Sequence, residues 1–172
     1  MGKRSDFPRR KNDAYDTWDK RVLPPLLPHL VGRRFVEPCA GRGALIDLLE
    51  SVGLQCVAAF DVEPRRFDIE CGDATTARLP PCDISITNPP WTRRLMHAIL
   101  NNLADQGPTW GLFDHAWAAT KQARPLLKRC HKIVVVGRLQ WVEGTEYDAQ
   151  DDCSWYLFGP DPPPAPLFFG RG

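Results

Sequence analysis

Between residues 34 and 158, short apolar runs alternate with stretches whose apolar residues recur every three or four positions. The first pattern reads as strands buried in a sheet, the second as helices with one face on a core. Strands are predicted at 34–37, 55–60, 67–70, 83–87, 109–113, 132–137 and 154–158, and helices at 19–29, 43–52, 92–105 and 116–130. Leu95, Ile99 and Leu103 recur at spacing four and mark one face of the third helix, while prolines disturb the middle of the first. Strands separated by helices pair in parallel, and the last two, with no helix between them, should pair antiparallel. The expectation is an α/β fold: a seven-stranded, mostly parallel sheet with helices on both faces and a C-terminal antiparallel hairpin.

Composition bounds this picture. At 172 residues, 43% hydrophobic and 25% charged, the chain fits one globular domain, placed at 14–159. A basic arm, 1–13, precedes it and a tail rich in proline and glycine, 160–172, comes after it; Leu167, Phe168 and Phe169 give that tail a reason to dock on the body. No apolar run approaches the roughly 20 residues of a membrane helix, and no signal-peptide segment follows the first charges, so a cytoplasmic protein without membrane contact is expected. Six cysteines lie scattered with no CxxC pair, which favours reduced thiols and no structural metal.

A net charge of +1 removes any whole-molecule attraction to nucleic acid, but the charges are unevenly placed. Basic residues gather at Lys3, Arg4, Arg9, Arg10 and Lys11, at Arg93 and Arg94, and at Lys121, Arg124, Lys128, Arg129 and Lys132. Glu143, Glu146, Asp148, Asp151 and Asp152 form the opposite patch.

In open parallel sheets ligands sit beyond the carboxyl ends of the strands, where strand order reverses. Three loops at that edge carry unusual residues. After the first strand, Gly41 and Gly43 in Glu37-Pro-Cys-Ala-Gly-Arg-Gly43 allow a sharp turn close to a ligand. The third glycine of a dinucleotide fingerprint is missing, which disfavours nicotinamide and flavin and favours a different nucleoside cofactor. After the second strand, Asp61 stands 18 residues beyond Gly43, where an acid accepts ribose hydroxyls, with Glu63 as the rival. Gly72-Asp73-Ala74 offers a further carboxylate, for the amino group of an adenine.

The fourth strand runs into Asn88-Pro89-Pro90-Trp91. Prolines often close strands and tryptophans often pack in cores, so the tetrapeptide alone has a plain structural reading. Its chemical reading is a fixed pair of acceptors. An exocyclic amine is a poor nucleophile because its lone pair is delocalised. Acceptance of its protons by the Asn88 side-chain oxygen and the Pro89 carbonyl would favour a pyramidal nitrogen, with Trp91 as a stacking surface.

In this order the motifs resemble those of class I S-adenosylmethionine-dependent methyltransferases, specifically the amino-methyltransferase branch that includes small phage-type N6-adenine DNA methyltransferases. Tyr15-Asp-Thr-Trp18 is similar to that family's Tyr-x-Thr-Pro element, with Trp18 in place of proline, and 137–141 together with 154–158 is similar to its final hairpin. The resemblance implies a Rossmann-like fold, S-adenosylmethionine as cofactor and S-adenosylhomocysteine as product. It implies cofactor contacts from Thr17, Glu37, Cys39, Gly41, Gly43, Asp61, Val62, Asp73, Ala74 and Asn88, and catalysis by Asn88, Pro89, Pro90 and Trp91. Arg93 and Arg94 would hold nucleic-acid phosphates beside a flipped base. DNA adenine is the favoured target; adenine in RNA, cytosine N4, a protein glutamine and a non-catalytic binding module remain alternatives. With no long insertion after the fourth strand, sequence selectivity should be low, or come from a homodimer partner or nearby loops. The four histidines, His29, His97, His115 and His131, are read as surface or helix residues rather than a proton-abstracting base.

Overall fold

The computed structural model describes residues 15–145 and 147–171. The predicted basic arm and Glu146 of the acidic patch lie outside the described residues.

The chain enters through a short 3-10 turn, Lys20–Val22, then α1, Leu23–Leu26, and another 3-10 turn, Leu27–His29. Pro24, Pro25 and Pro28 lack the amides a continuous helix needs, so the predicted first helix is three fragments. Next come β1 (Arg34–Glu37), α2 (Ala44–Ser51), β2 (Gln55–Asp61), β3 (Glu70–Cys71), β4 (Ile84–Thr87), α3 (Arg93–Gln106) and β5 (Thr109–Asp114). Beyond two 3-10 turns, His115–Ala119 and Lys121–Ala123, lie α4 (Arg124–Leu127), β6 (Cys130–Arg138), β7 (Asp152–Phe158) and β8 (Leu167–Phe169).

These strands make one sheet in the order β3-β2-β1-β4-β5-β7-β6-β8. Neighbours from β3 to β5 pair in parallel, and β7 inserts antiparallel between β5 and β6. The α/β architecture is as expected, but the sheet has eight strands rather than seven. The additional strand comes from the tail: Leu167, Phe168 and Phe169 lie parallel to Lys132, Ile133 and Val134, occupying backbone groups that the edge of β6 would otherwise leave open. Phe169 also packs on the His29 ring, centroids 4.2 Å apart.

Two other elements depart from the sequence pattern. The predicted helix over 116–130 is broken because Thr120 is extended (φ −88°, ψ 150°), Pro125 restarts the turn, and Cys130 already belongs to β6. The third strand shrinks to two residues, because a turn from Ile69 N–H to the Arg66 carbonyl occupies the preceding stretch. On α3 the buried residues are Met96, Ile99, Leu100, Leu103 and Ala104, whereas Leu95 stays 37% exposed and faces a cavity.

Apolar layers cover both faces of the sheet. Val22, Leu26, Phe35, Leu49, Ile86, Trp110 and Trp155 belong to one cluster, in which the Trp155 indole donates to the Val22 carbonyl at 2.9 Å. Met96 and Leu100 of α3 meet Phe113, Trp117, Tyr156 and Phe158 in a second, where Phe113 and Tyr156 stack at 4.3 Å. Each such side chain stabilises the fold by about 1.5–3 kcal/mol relative to exposure. All six cysteines are unpaired. Among the described residues no helix is long and apolar enough to cross a membrane, and no His/Cys/Asp/Glu group is arranged to hold a metal ion.

Candidate active site

β1 delivers Glu37 to the carboxyl edge of the sheet, and the chain turns through 38–43 before α2 begins. Gly41 (φ 54°) and Gly43 (φ 80°) adopt left-handed conformations; a Cβ on Gly43 would collide with the Arg66 guanidinium. The turn is bonded to its neighbours. Ala40 N–H donates to the Phe60 carbonyl (3.1 Å), Arg65 N–H donates to the Gly41 carbonyl (3.1 Å), and Gly41 N–H donates to Asp61 Oδ2 (2.9 Å). The other oxygen of Asp61 accepts the Glu63 amide at 2.8 Å, so this carboxylate holds both loops at once.

Asp73 Oδ1 accepts the Thr75 amide and hydroxyl, both at 2.8 Å, an Asx-type turn that fixes the carboxylate. Two α3 side chains hold the stretch from Ala74 to Leu79. Asn102 Nδ2 donates to the carbonyls of Ala74 and Ala77 (3.0 Å each), and Gln106 takes the Leu79 amide (2.9 Å) while donating to the Ala77 carbonyl (3.0 Å).

All four residues of β4 are buried, and Asn88 follows directly after the strand. Asn88 Nδ2 donates to the Tyr15 carbonyl (3.2 Å) and to Thr17 Oγ1 (3.0 Å), while Oδ1 accepts the Trp91 indole N–H (3.0 Å). Trp91 is half-buried and meets Trp141 edge to face, centroids 5.5 Å apart at 87°.

These loops enclose a cavity of about 300 Å³. Of the residues singled out in the sequence, Thr17, Glu37, Cys39, Gly41, Asp61, Val62, Asp73, Ala74, Asn88 and Pro90 line it, as does Glu63. Gly43, Pro89, Trp91, Arg93 and Arg94 do not; Gly43 caps α2 from behind the turn, and the two arginines stand exposed at the start of α3. The sequence reading missed Asp16 and Arg65, which also line the cavity. The buried Asp16 carboxylate accepts from Arg42 Nε and Arg65 Nη2, both at 2.9 Å. Asp16 lies inside the Tyr-x-Thr-like element, but its partners are 26 and 49 positions away, so no local pattern announces them.

The cavity's most buried acid is Glu37. The residue is 1% exposed; Oε1 accepts the Cys39 amide at 3.2 Å, and Oε2 lies near the Thr87 hydroxyl without a well-formed hydrogen bond to it. Burial pushes the carboxyl up to about 8, opposed by the Thr87 hydroxyl and the Cys39 amide and reinforced by the charge of Asp61. Burial, and then the Glu37 charge, also raises the Cys39 thiol far above its ordinary range, which favours the neutral thiol. The residues fit S-adenosylmethionine: an unpartnered buried carboxylate oxygen for an ammonium, acids after β2 for a ribose diol, and Asp73 for an adenine amine.

The sheet order, with β7 antiparallel between β5 and β6 and a glycine turn at the point where strand order reverses, is that of a Rossmann-like α/β fold. No protein-family model matches the chain, and no curated protein matches its sequence. Solved structures do. The 23S rRNA methyltransferase ErmE superimposes with a TM-score of 0.56 at 13% identity, covering 90% of this chain and 72% of that one. The M protein of the type I restriction enzyme EcoKI gives 0.51 at 16%, covering 87% and 47%. A candidate class I S-adenosylmethionine-dependent methyltransferase from Listeria monocytogenes gives 0.51 at 12%, covering 88% and 62%. The chain thus spans less than two thirds of the last two, and at these identities the likeness is one of fold.

Proposed function

We propose that this chain transfers a methyl group from S-adenosylmethionine to an exocyclic amino group, with N6 of adenine in DNA as the favoured target. The observation that carries the reading is that Asn88 lines the same cavity of about 300 Å³ as Gly41, Asp61 and Asp73. S-adenosylmethionine, when bound, supplies the electrophilic sulfonium methyl. The chain's part is to bind and to aim. Glu37 takes the cofactor's ammonium, Asp61 or Glu63 its ribose, Asp73 its adenine amine. Asn88 Oδ1 and the Pro89 carbonyl accept the target's N–H groups and stabilise the positive charge that develops on its nitrogen. Trp91, bonded to Asn88, and Trp141, edge to face with it, are half-buried and form an aromatic corner for a flat base, and the exposed Arg93 and Arg94 contact phosphates. A restriction-enzyme M protein and an rRNA methyltransferase with this fold support nucleic acid as the target class.

The test is incubation with labelled S-adenosylmethionine and DNA, RNA or protein, then nucleoside and peptide mass spectrometry. The expected product is N6-methyladenine from DNA, lost in Asn88→Ala. Methylated RNA or glutamine would move the target class. Cofactor binding without any product would overturn the catalytic reading.

A further inference from the structure

Asn88 is useful to an amine only if its oxygen, not its nitrogen, faces the target. Rotation of an amide by half a turn exchanges an acceptor for a donor at almost no cost in shape. Two groups that can act in one sense alone decide the matter here. The Tyr15 carbonyl only accepts and lies 3.2 Å from Nδ2; the Trp91 indole only donates and lies 3.0 Å from Oδ1. Thr17 Oγ1, at 3.0 Å, takes the second Nδ2 proton. With both protons engaged by the segment 15–17, the nitrogen has none left for a target, and the oxygen keeps a second lone pair beside the one bonded to Trp91.

We propose that Thr17 is a positioning residue: by taking the second Nδ2 proton it holds in place the Asn88 amide whose sense Tyr15 and Trp91 set, leaving the free lone pair of Oδ1 for the target amine. This rests on the transfer reading given under Proposed function, and it assigns Thr17 a role other than the cofactor contact that the family resemblance implies. Three features support it. Thr17 is buried, 4% exposed, so its hydroxyl is not a casual surface group. Its segment is anchored on both sides, by Asp16 to Arg42 and Arg65 and by Asp19, whose Oδ2 accepts the Gln140 amide at 3.0 Å. Finally, Arg42 sits in the glycine turn, so the part that would seat the cofactor and the part that aims Asn88 are braced against each other through one short stretch of chain. The geometry requires an oxygen at residue 17 and tolerates loss of the methyl group.

Thr17→Val and Thr17→Ser in the full chain separate the alternatives. Three quantities are read: the dissociation constant of S-adenosylhomocysteine by titration calorimetry, kcat and KM for transfer to adenine-containing DNA, and the Asn88 side-chain NH2 resonances, identified by their absence in Asn88→Asp. Thr17→Val is expected to lower kcat on the order of tenfold, the cost of a misaimed group, with cofactor affinity within about threefold, and to shift and broaden the Asn88 pair. Thr17→Ser is expected to restore both kcat and the resonances. Cofactor affinity that falls tenfold or more in Thr17→Val with kcat intact would overturn the proposal, making Thr17 a cofactor contact. Unchanged Asn88 resonances in Thr17→Val would overturn it whether or not the chain transfers methyl groups. Should the wild type transfer none while the resonances respond, the reading under Proposed function fails and the brace on Asn88 stands.

Discussion

Glu37 illustrates what a single buried charge can do. Its folded value of about 8 lies above the ordinary 4.5, so its ionisation opposes folding. Linkage sets the sign: the unfavourable contribution is absent below about pH 4.5, grows as pH rises towards 8, and is constant above, where both states are ionised. Glu37→Gln is therefore expected to be more stable than the wild type at pH 9 and closest to it near pH 5, by an amount on the order of a few kcal/mol at the alkaline end. Melting temperatures of both proteins across that range check it; parallel curves would refute it. A cationic ligand reverses the balance by supplying the charge that Oε2 lacks. That Glu37 belongs to the cavity wall was legible from its place in the loop motif, but its shifted proton was not, because it depends on the burial that the surrounding strands create. Asp61 was legible in the same way. Its two bonds to backbone amides, which make it a structural tie between loops as well as a ribose candidate, become visible only when the loops are placed together.

At the level of elements, the glycine turn gives the sharpest expectation. Gly43 sits at φ 80°, and Arg66 lies against it, with Nη1 3.4 Å from the Gly43 carbonyl and 2.7 Å from Asp47 Oδ1. An alanine there bears both the left-handed backbone cost, about 1–2 kcal/mol, and displacement of the guanidinium that ties the post-β2 loop to α2. Gly43→Ala should thus lower the denaturant midpoint without changing the slope of the transition, while a Gly144→Ala control, also at positive φ but with open space around it, loses only the backbone part. Glycine turn, α2, α3 and the central strands could be read from the chain because local chemistry dictates them: glycine where the backbone must reverse, apolar spacing where a helix packs. Elements set by long-range partners could not. Thr120 breaks a stretch with a helical pattern, and β8 exists only because β6 presents an open edge to three apolar residues of a tail.

On the scale of the whole molecule, topology explains why residues scattered from 15 to 99 share one cavity. β1 lies between β2 and β4, and in a parallel arrangement the loops leaving all three emerge on the same edge. Asp16 then closes the assembly, joining the entering segment to the glycine turn through Arg42 and to the post-β2 loop through Arg65. Charge works differently at this scale. With a net charge of +1 the molecule as a whole exerts little pull on a polyanion, so under the proposed function affinity for DNA would have to come from local cations. The proposed function assigns this to Arg93 and Arg94, which are exposed in the first turn of α3 two residues beyond Trp91. Phosphate contacts fix register without reading bases, so Arg93→Ala with Arg94→Ala should weaken binding to unrelated DNA sequences alike. The slope of log affinity against log salt should become shallower by about 1 to 2, one condensed counterion per lost contact. Fluorescence anisotropy on two unrelated duplexes, each titrated at several salt concentrations, reads both quantities. Cofactor affinity serves as the control, because neither arginine lines the cavity. An unchanged salt slope would place the phosphate contacts elsewhere, and a loss confined to one duplex would make these arginines readers of sequence rather than of charge.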